Sequence, residues 1–454
     1  MRDVLAAIDA DRARHVDELK DLLRIPSVSS DPAHAADVRQ AVEAVRVAFE
    51  RIGITARVCE TGGHPLCHAE WMGAPGKPTL LVYGHVDVQP VEPLAEWTTP
   101  PFEPVEVNGN LIARGASDDK GQVFTYLKAA EAWLKRTGSL PVNVRFVIEG
   151  EEEVGSPNLP AWMMANREAV KADVVAISDT SQFGPGLPSL CTGLRGIASF
   201  ELEVRTGQTD VHSGTFGGAV PNAIHILARM IDRLHDEEWR IDVPGIYDDV
   251  AEPAAFERES WSALPQSEEE FRETSGFLSL LGEPGRTSLE RTWARPTLEI
   301  VGITGGHQGP GHKGVVPCRA VAKFSTRLVP NMRPARVIEA VRRRIAELTP
   351  AGVESNLQFG HGAPPVSIPV DSKWIAAAVR ALEAGFGKPP VMIREGGSIP
   401  IVTFFVEELG IPCLLLGYGL HDDRIHGPNE KFSLKDFHAG IRTGAALLHE
   451  LAMI

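Results

Sequence analysis

The chain has 454 residues, 43% hydrophobic and 23% charged, with a formal net charge of −15. That length exceeds what one domain core usually holds, and the composition is that of an ordinary water-soluble globular protein. The acidic balance argues against nucleic-acid binding, which needs a basic surface to neutralise phosphates, and it gives an anionic membrane no basic patch to hold.

The first residues, Met1-Arg2-Asp3-Val4-Leu5-Ala6, carry an acid early and lack the apolar core of a signal peptide. No later stretch is apolar for the length that a membrane helix needs. From 2 to 24, Val4, Ile8, Val16, Leu19, Leu22 and Leu23 form a helical stripe that stops before Pro26. A second helix over 35–52 ends at Gly53. A strand over 79–83, a helix over 122–136, a strand over 142–148, a short helix over 159–166 and a strand over 174–178 then alternate. Such alternation predicts an α/β domain whose largely parallel sheet is covered by helices on both faces.

After Gly193 the order changes. A strand over 197–205, a helix over 220–235, strands over 297–301 and 320–328, a helix over 335–348 and a strand over 352–359 give β-α-β-β-α-β, the ferredoxin-like arrangement. A polar stretch, 236–295, interrupts it. The chain returns with helices over 371–384 and 399–408, a strand over 412–417 and a last helix over 434–451. His426 follows that late strand, so residues 1–193 and 363–454 are expected to form one discontinuous domain, with 194–362 inserted as another. Cys59, Cys67, Cys191, Cys318 and Cys413 are scattered, with no Cys-x-x-Cys pair. Neither a zinc ribbon nor a disulfide framework is expected, and a reducing cytoplasm is the expected compartment.

Open α/β sheets keep their chemistry at the carboxyl edges of their strands, and acids and histidines collect there in this sequence. The strand before Ile148 runs into Glu149-Gly150-Glu151-Glu152-Glu153-Val154-Gly155-Ser156, and others run into Gly84-His85-Val86-Asp87 and Ser178-Asp179. The late strand leads to His421 and His426, either of which suits the same edge. Asp118 and Asp119 stand where Gly115-Ala116-Ser117-Asp118-Asp119-Lys120-Gly121 turns into a helix. His85 and Asp87, two apart, project to one face, and Asp87 is placed to accept the second imidazole N–H of a metal-bound His85. Glu152 and Glu153 diverge, which suits one metal ligand and one general base. Glu149 and Glu151 are expected to be solvated or structural. Each group alone has an ordinary use, as a surface histidine, a helix cap or a turn residue. Their recurrence at one sheet edge predicts a two-metal hydrolase. Carboxylates and imidazoles without thiolate favour Zn²⁺, Mn²⁺ or Co²⁺.

These motifs, with Val211-His212-Ser213-Gly214, His426-x-x-Asn429-Glu430-Lys431, Arg327-Leu328-Val329-Pro330-Asn331-Met332 and Arg394-Glu395-Gly396-Gly397-Ser398-Ile399-Pro400, resemble the M20 metallopeptidases and most of all their carnosinase-like dipeptidase branch. The resemblance runs in order along nearly the whole chain. It implies a di-zinc catalytic domain on a mixed or parallel sheet (1–193 and 363–454) and a ferredoxin-like lid and dimerisation domain (194–362). It also implies that Asp118 bridges both metals, that His85 and Asp179 complete one site, and that Glu153 and His426 complete the other. Glu152 would be the general base, and the Asp118–Asp119 peptide would be cis. His212 would reach a partner's active site in a homodimer and polarise the scissile carbonyl, while Arg327, His361 and Ser398 would hold the substrate carboxylate. Gly314 stands where dipeptidase relatives often place a threonine that contacts substrate, which leaves side-chain preference open. The implied reaction is hydrolysis of dipeptides or short peptides by water activated at the metal pair. The alternatives are an N-acyl-amino-acid amidohydrolase or carboxypeptidase on the same metals, or a non-catalytic binding protein, for which Glu152 would be superfluous.

Overall fold

In a computed structural model, which describes residues 1–397 and 399–454, the N-terminal stripe forms two helices, Arg2–Ala10 and Arg12–Leu23, in place of the single helix expected. Asp11 leaves the helical region at φ −97° and ψ 13°, and its carboxylate turns to Arg14 at 2.7 Å. Asp is a poor helix-interior residue because its short polar side chain competes locally with the helix. The helix Lys120–Thr137 is buried along most of its length and ends at Gly138, whose φ of 74° glycine adopts without strain.

Two units divide the described residues: Met1–Thr192 with Ile368–Ile393 and Phe404–Ile454, and Gly193–Ser367 with Arg394–Thr403. In the first, the strands run in the order Thr55–Cys59, Leu66–Trp71, Asn143–Glu149, Thr79–His85, Val174–Ile177, Cys413–Leu415, Ser189–Leu194. Only the central four are mutually parallel, and the flanking strands pair antiparallel. The sheet is therefore mixed. The expectation of a largely parallel sheet missed Thr55–Cys59, Leu66–Trp71 and Ser189–Leu194, which lack a helix between them and so lack the βαβ signal. Thr79–His85 sits at the centre, and successive connections leave it in opposite directions, to Asn143–Glu149 on one side and towards Val174–Ile177 on the other. That is a topological switch point, where carboxyl ends open a crevice. Register levels those ends: His85 pairs with Glu149, and Tyr83 with Ile177.

The second unit is a four-stranded antiparallel sheet in the order Thr297–Gly305, Arg319–Leu328, Gly196–Arg205, Glu354–Ala363. Burial alternates along Gly196–Arg205, so Ala198, Phe200, Leu202 and Val204 face a core shared with Leu227, Met230, Val337, Val341 and Ile345 of the helices Ala223–Asp232 and Pro334–Leu348. The stretch 236–295 is less polar in its packing than in its sequence. Ile241, Val243 and Ile246 join this core, Trp261 meets Trp293 edge-on at 5.3 Å, and Arg295 is buried against Glu283 at 2.7 Å. Its helices are short (Ala255–Ser262, Glu268–Ser275, Ser288–Ala294), so their apolar periodicity is too brief to read. All five cysteines are free, and among the described residues no helix is long and apolar enough to cross a membrane.

His15, 2% exposed, carries a pH signature. Burial, then the Arg14 and Lys128 charges, lower its pKa from 6.5 to about 4. The unfolded chain takes up this proton near 6.5 and the folded chain only near 4. Stability from this residue is thus complete above 6.5 and is lost as pH falls towards 4, by up to roughly 3 kcal/mol. His15→Gln should lose less stability than the parent between pH 7 and 4.5 in urea denaturation. Parallel pH profiles for the two proteins would count against it.

Candidate metal centre

The central strands deliver their terminal side chains to one crevice. His85 is the last residue of its strand, and Asp179 lies two past Ile177. Glu152 and Glu153 open a single 3-10 turn, Glu152–Val154, ended by Gly155 at φ 87°. Loops bring the other two groups: Asp118 precedes the helix Lys120–Thr137, and His426 lies in the connection between Cys413–Leu415 and Lys431–Ser433. The Asp118–Asp119 peptide is cis.

Two triads result. Ligand atoms of His85, Glu152 and Asp179 lie within 4.8 Å of one another, as do those of Asp118, Glu153 and His426. Asp118 joins them: its Oδ1 is 3.1 Å from His85 Nε2 and its Oδ2 is 2.9 Å from His426 Nε2. Glu153 Oε2 is 3.2 Å from the same His426 nitrogen and accepts from Gln89 Nε2 at 2.8 Å. Among the described residues, no other group of acids, histidines and cysteines is drawn together in this way, and His421 is in neither triad.

Asp87 has a different hydrogen-bonding role from the one expected. His85 Nδ1 meets the main-chain carbonyl of Asp87 at 3.1 Å, with the carboxylate farther away at 3.4 Å. The carboxylate instead accepts the main-chain N–H groups of Glu152 (3.2 Å) and Glu153 (3.0 Å), so it sets the turn that aims both glutamates. Glu149 and Glu151 are structural but not solvated. Glu149 accepts from Tyr83 Oη (2.5 Å) and Ser156 Oγ (2.8 Å), and Glu151 from Asn158 Nδ2 (3.0 Å) and His64 N (2.7 Å).

The residues fit divalent cations. His85 Nε2 is buried without a hydrogen-bond partner, because Asp118 Oδ1, although 3.1 Å away, lies off the direction a hydrogen bond needs. An unpartnered, buried imidazole nitrogen beside a carboxylate oxygen is what a shared cation would satisfy. Charge points the same way. Burial raises Glu152 to about 7, opposed by His85 and helped by Asp118, Glu153 and Asp87. Burial, then Asp118 and neighbouring acids, likewise raises Asp179. Asp118 and Glu153 draw a proton onto His426, raising it to about 10. A donor set of oxygen and imidazole nitrogen suits Zn²⁺, Mn²⁺ or Co²⁺.

The remaining site residues belong to the second unit. His212 is exposed, and its Nδ1 accepts the Gly214 N–H at 3.0 Å. His361 Nδ1 lies 2.9 Å from Ser199 Oγ. Arg327 is half-buried on Arg319–Leu328, and burial lowers its pKa. Gly314 receives the Ser213 N–H on its carbonyl at 2.9 Å, and a Cβ there would meet only Ser213 Oγ at 3.4 Å, so packing does not demand glycine. Ser398 lies outside the described residues. Sequence reading assigned no role to Arg114, Asp423 or Glu430, which lie behind the triads. Their only signal was that Glu430 belongs to the Asn429-Glu430-Lys431 motif.

A model of peptidase family M20/M25/M40 matches residues 81–450. The Cys-Gly metallodipeptidase dug1 of Schizosaccharomyces pombe is 34% identical, over 98% of this chain and 97% of its own. The structure of human carnosine dipeptidase 1 superposes with a TM-score of 0.83 at 32% identity, covering 99% of this chain and 98% of that one. The M20 family metallo-carboxypeptidase Sso-CP2 of Sulfolobus solfataricus gives 0.85 at 32% identity, over 97% and 99%.

Two adjoining triads joined by Asp118 should take up two Zn²⁺ per chain in calorimetric titration. At free Zn²⁺ about 100-fold above Kd, folding should gain roughly 2.7 kcal/mol for each site filled. Asp118→Ala should abolish both binding events and His426→Ala mainly one. Equal effects of the two substitutions would contradict the bridge.

Proposed function

The chain belongs to peptidase family M20/M25/M40, and from that premise we propose that it is a metal-dependent dipeptidase. The observation that carries the reading is Asp118, whose two oxygens face different histidines in two adjoining triads, with Glu152 beside them. His85, Asp118 and Asp179 would hold one cation, and Asp118, Glu153 and His426 the other. Zn²⁺ is the proposed metal, with Mn²⁺ or Co²⁺ as substitutes. When bound, the pair supplies Lewis acidity, lowering the pKa of water and polarising the scissile carbonyl.

Glu152 is the proposed general base. It takes a proton from the attacking water as the new C–O bond forms, then passes that proton to the nitrogen as the C–N bond breaks. Asp87 keeps Glu152 at its station through the Glu152 N–H, and holds Glu153 in the same way. Arg327, His361 and Ser398 would receive the substrate carboxylate, and His212 would donate to the developing oxyanion. Dipeptides are the substrate class because dug1 is a Cys-Gly dipeptidase and the human relative a carnosine dipeptidase. A carboxypeptidase is the second reading, favoured by the likeness to Sso-CP2. The free cysteines support a reducing compartment.

Glu152→Gln should retain both metals and the fold yet lose about 10²–10⁴ in kcat. Elemental analysis alongside turnover checks this, and near-normal turnover would sink the assignment. A panel of dipeptides, longer peptides and N-acyl amino acids decides between the readings. Preference for longer peptides would favour the carboxypeptidase.

The reading includes a homodimer through residues 194–362, in which His212 of the partner subunit completes each site. The exposed edge strands of the second unit's sheet could pair with a copy in an isologous interface. Inactive His212→Ala and inactive Glu152→Gln subunits should then regain activity when mixed, since one site of the heterodimer would keep both groups. No recovery despite demonstrated subunit exchange would mean that His212 acts within its own chain or not at all.

A further inference from the structure

Arg114 and Glu430 form a buried ion pair, 1% and 0% exposed, directly behind the triads. Neither touches the crevice groups through its own charge. Each instead holds the main chain that carries them. Glu430 Oε2 accepts from Arg114 Nη1 (2.8 Å) and Gly115 N (3.0 Å), and Oε1 accepts from Ser117 N (2.9 Å) and Asp118 N (3.1 Å). Arg114 Nη2 donates to the carbonyls of Pro90 (2.8 Å) and His426 (3.2 Å). One pair thus ties together three segments: the one leaving the His85 strand, the one bearing Asp118 and the one bearing His426.

Neighbouring contacts share the load. Asp423 Oδ2 accepts from Ser117 Oγ (2.9 Å) and Leu420 N (2.8 Å), and Lys431 Nζ donates to its Oδ1 (2.7 Å). Asn429 Oδ1 accepts from Thr98 N and Oγ1, both 2.7 Å, and its Nδ2 donates to Glu96 O at 2.7 Å. These bonds surround a segment in which Arg424, His426 and Asn429 take φ values of 56°, 64° and 62°, a region that residues with side chains occupy only when their surroundings hold them there.

A buried ion pair seldom stabilises a fold more than apolar side chains of the same size would, because both charges are stripped of water. Stability is therefore a poor account of this one, and geometry a better one. We propose that Arg114 and Glu430 are positioning residues that form the Asp118 and His426 half of the metal centre before a cation arrives. The inference rests on the metal-centre reading given above. Glu430 fixes the amide that starts Asp118, and Arg114 fixes the carbonyl that ends His426. The Glu153–His426 site depends on both, and the His85–Asp179 site only on the bridge.

The test is calorimetric titration of the metal-free protein with Zn²⁺, comparing the parent with Glu430→Gln and Arg114→Lys. Glu283→Gln, which breaks the buried Arg295–Glu283 pair of the second unit, is the control. The proposal expects Arg114→Lys to weaken one of two Zn²⁺ about 10–100-fold while the other stays within about threefold of the parent, and Glu430→Gln to weaken that same site by as much with a smaller loss at the other, passed on through Asp118. The control should lower Tm with both affinities intact. Unchanged affinities, or an equal loss at both sites, would overturn the proposal. If neither variant folds, hydrogen exchange on the parent decides: the Gly115, Ser117 and Asp118 amides should be protected without metal, and exchange at open-loop rates would overturn it. A parent that binds no Zn²⁺ sinks the metal-centre reading itself, an outcome distinct from two ions bound and unselective variants.

Discussion

Repulsion among carboxylates is the constraint around which this molecule is arranged. Asp87, Asp118 and Asp119 are buried, Glu152, Glu153 and Asp179 are nearly so, and all lie about one crevice. Two like charges 4 Å apart at an effective dielectric near 20 repel by about 4 kcal/mol. Among the chain's own groups, the His85 and His426 imidazoles relieve part of this beside Asp118, and lysine relieves little. Lys120 is fully buried but spends its ammonium on the Ile25 carbonyl at 2.7 Å, and burial lowers its pKa to about 7. Main-chain amides relieve more, as at Asp87 and Glu430. The balance favours cation binding, and Asp118 faces both His85 and His426, as the proposed bridge requires.

The centre is built from two kinds of material. His85, Asp179 and the Glu152–Glu153 turn hang from parallel strands whose ends are levelled by register, so the sheet places them, with the Asp87 carboxylate setting the turn. Asp118 and His426 come from loops with no ladder to hold them. The loops have side chains in place of a ladder: Arg114, Asp423 and Glu430, all buried, and the half-buried Asn429 bind the groups that hold these segments. Precision in the first half is a property of the fold, and in the second half a property of individual residues.

That division also explains what could be read from the sequence. Strand ends are legible because apolar runs announce them and the acids follow at fixed offsets, and the residues read there do meet in one crevice. The last helix, Leu434–Leu451, has the predicted limits because its apolar stripe is long. The flanking antiparallel strands were missed because Thr55–Cys59 and Leu66–Trp71 carry no strict alternation and no crossover helix. Arg114 was invisible because a single arginine before a glycine has no period or spacing. Its meaning depends on Glu430, 316 positions away. Asp87 was seen, but its preference for two amides over an imidazole depends on how the Glu152 turn folds, which spacing does not encode.

The contact between His212 and Gly214 limits what that imidazole can do. Nδ1 accepts an amide N–H, and the same bond caps the short helix Ser213–Phe216. A nitrogen that accepts cannot also carry a hydrogen, so the neutral ring is confined to one tautomer with its hydrogen on Nε2. The outward edge of His212 is then always a donor and never a base. With Glu152 as the proposed base and His212 as the proposed oxyanion donor, proton transfer and oxyanion stabilisation would be kept on separate side chains.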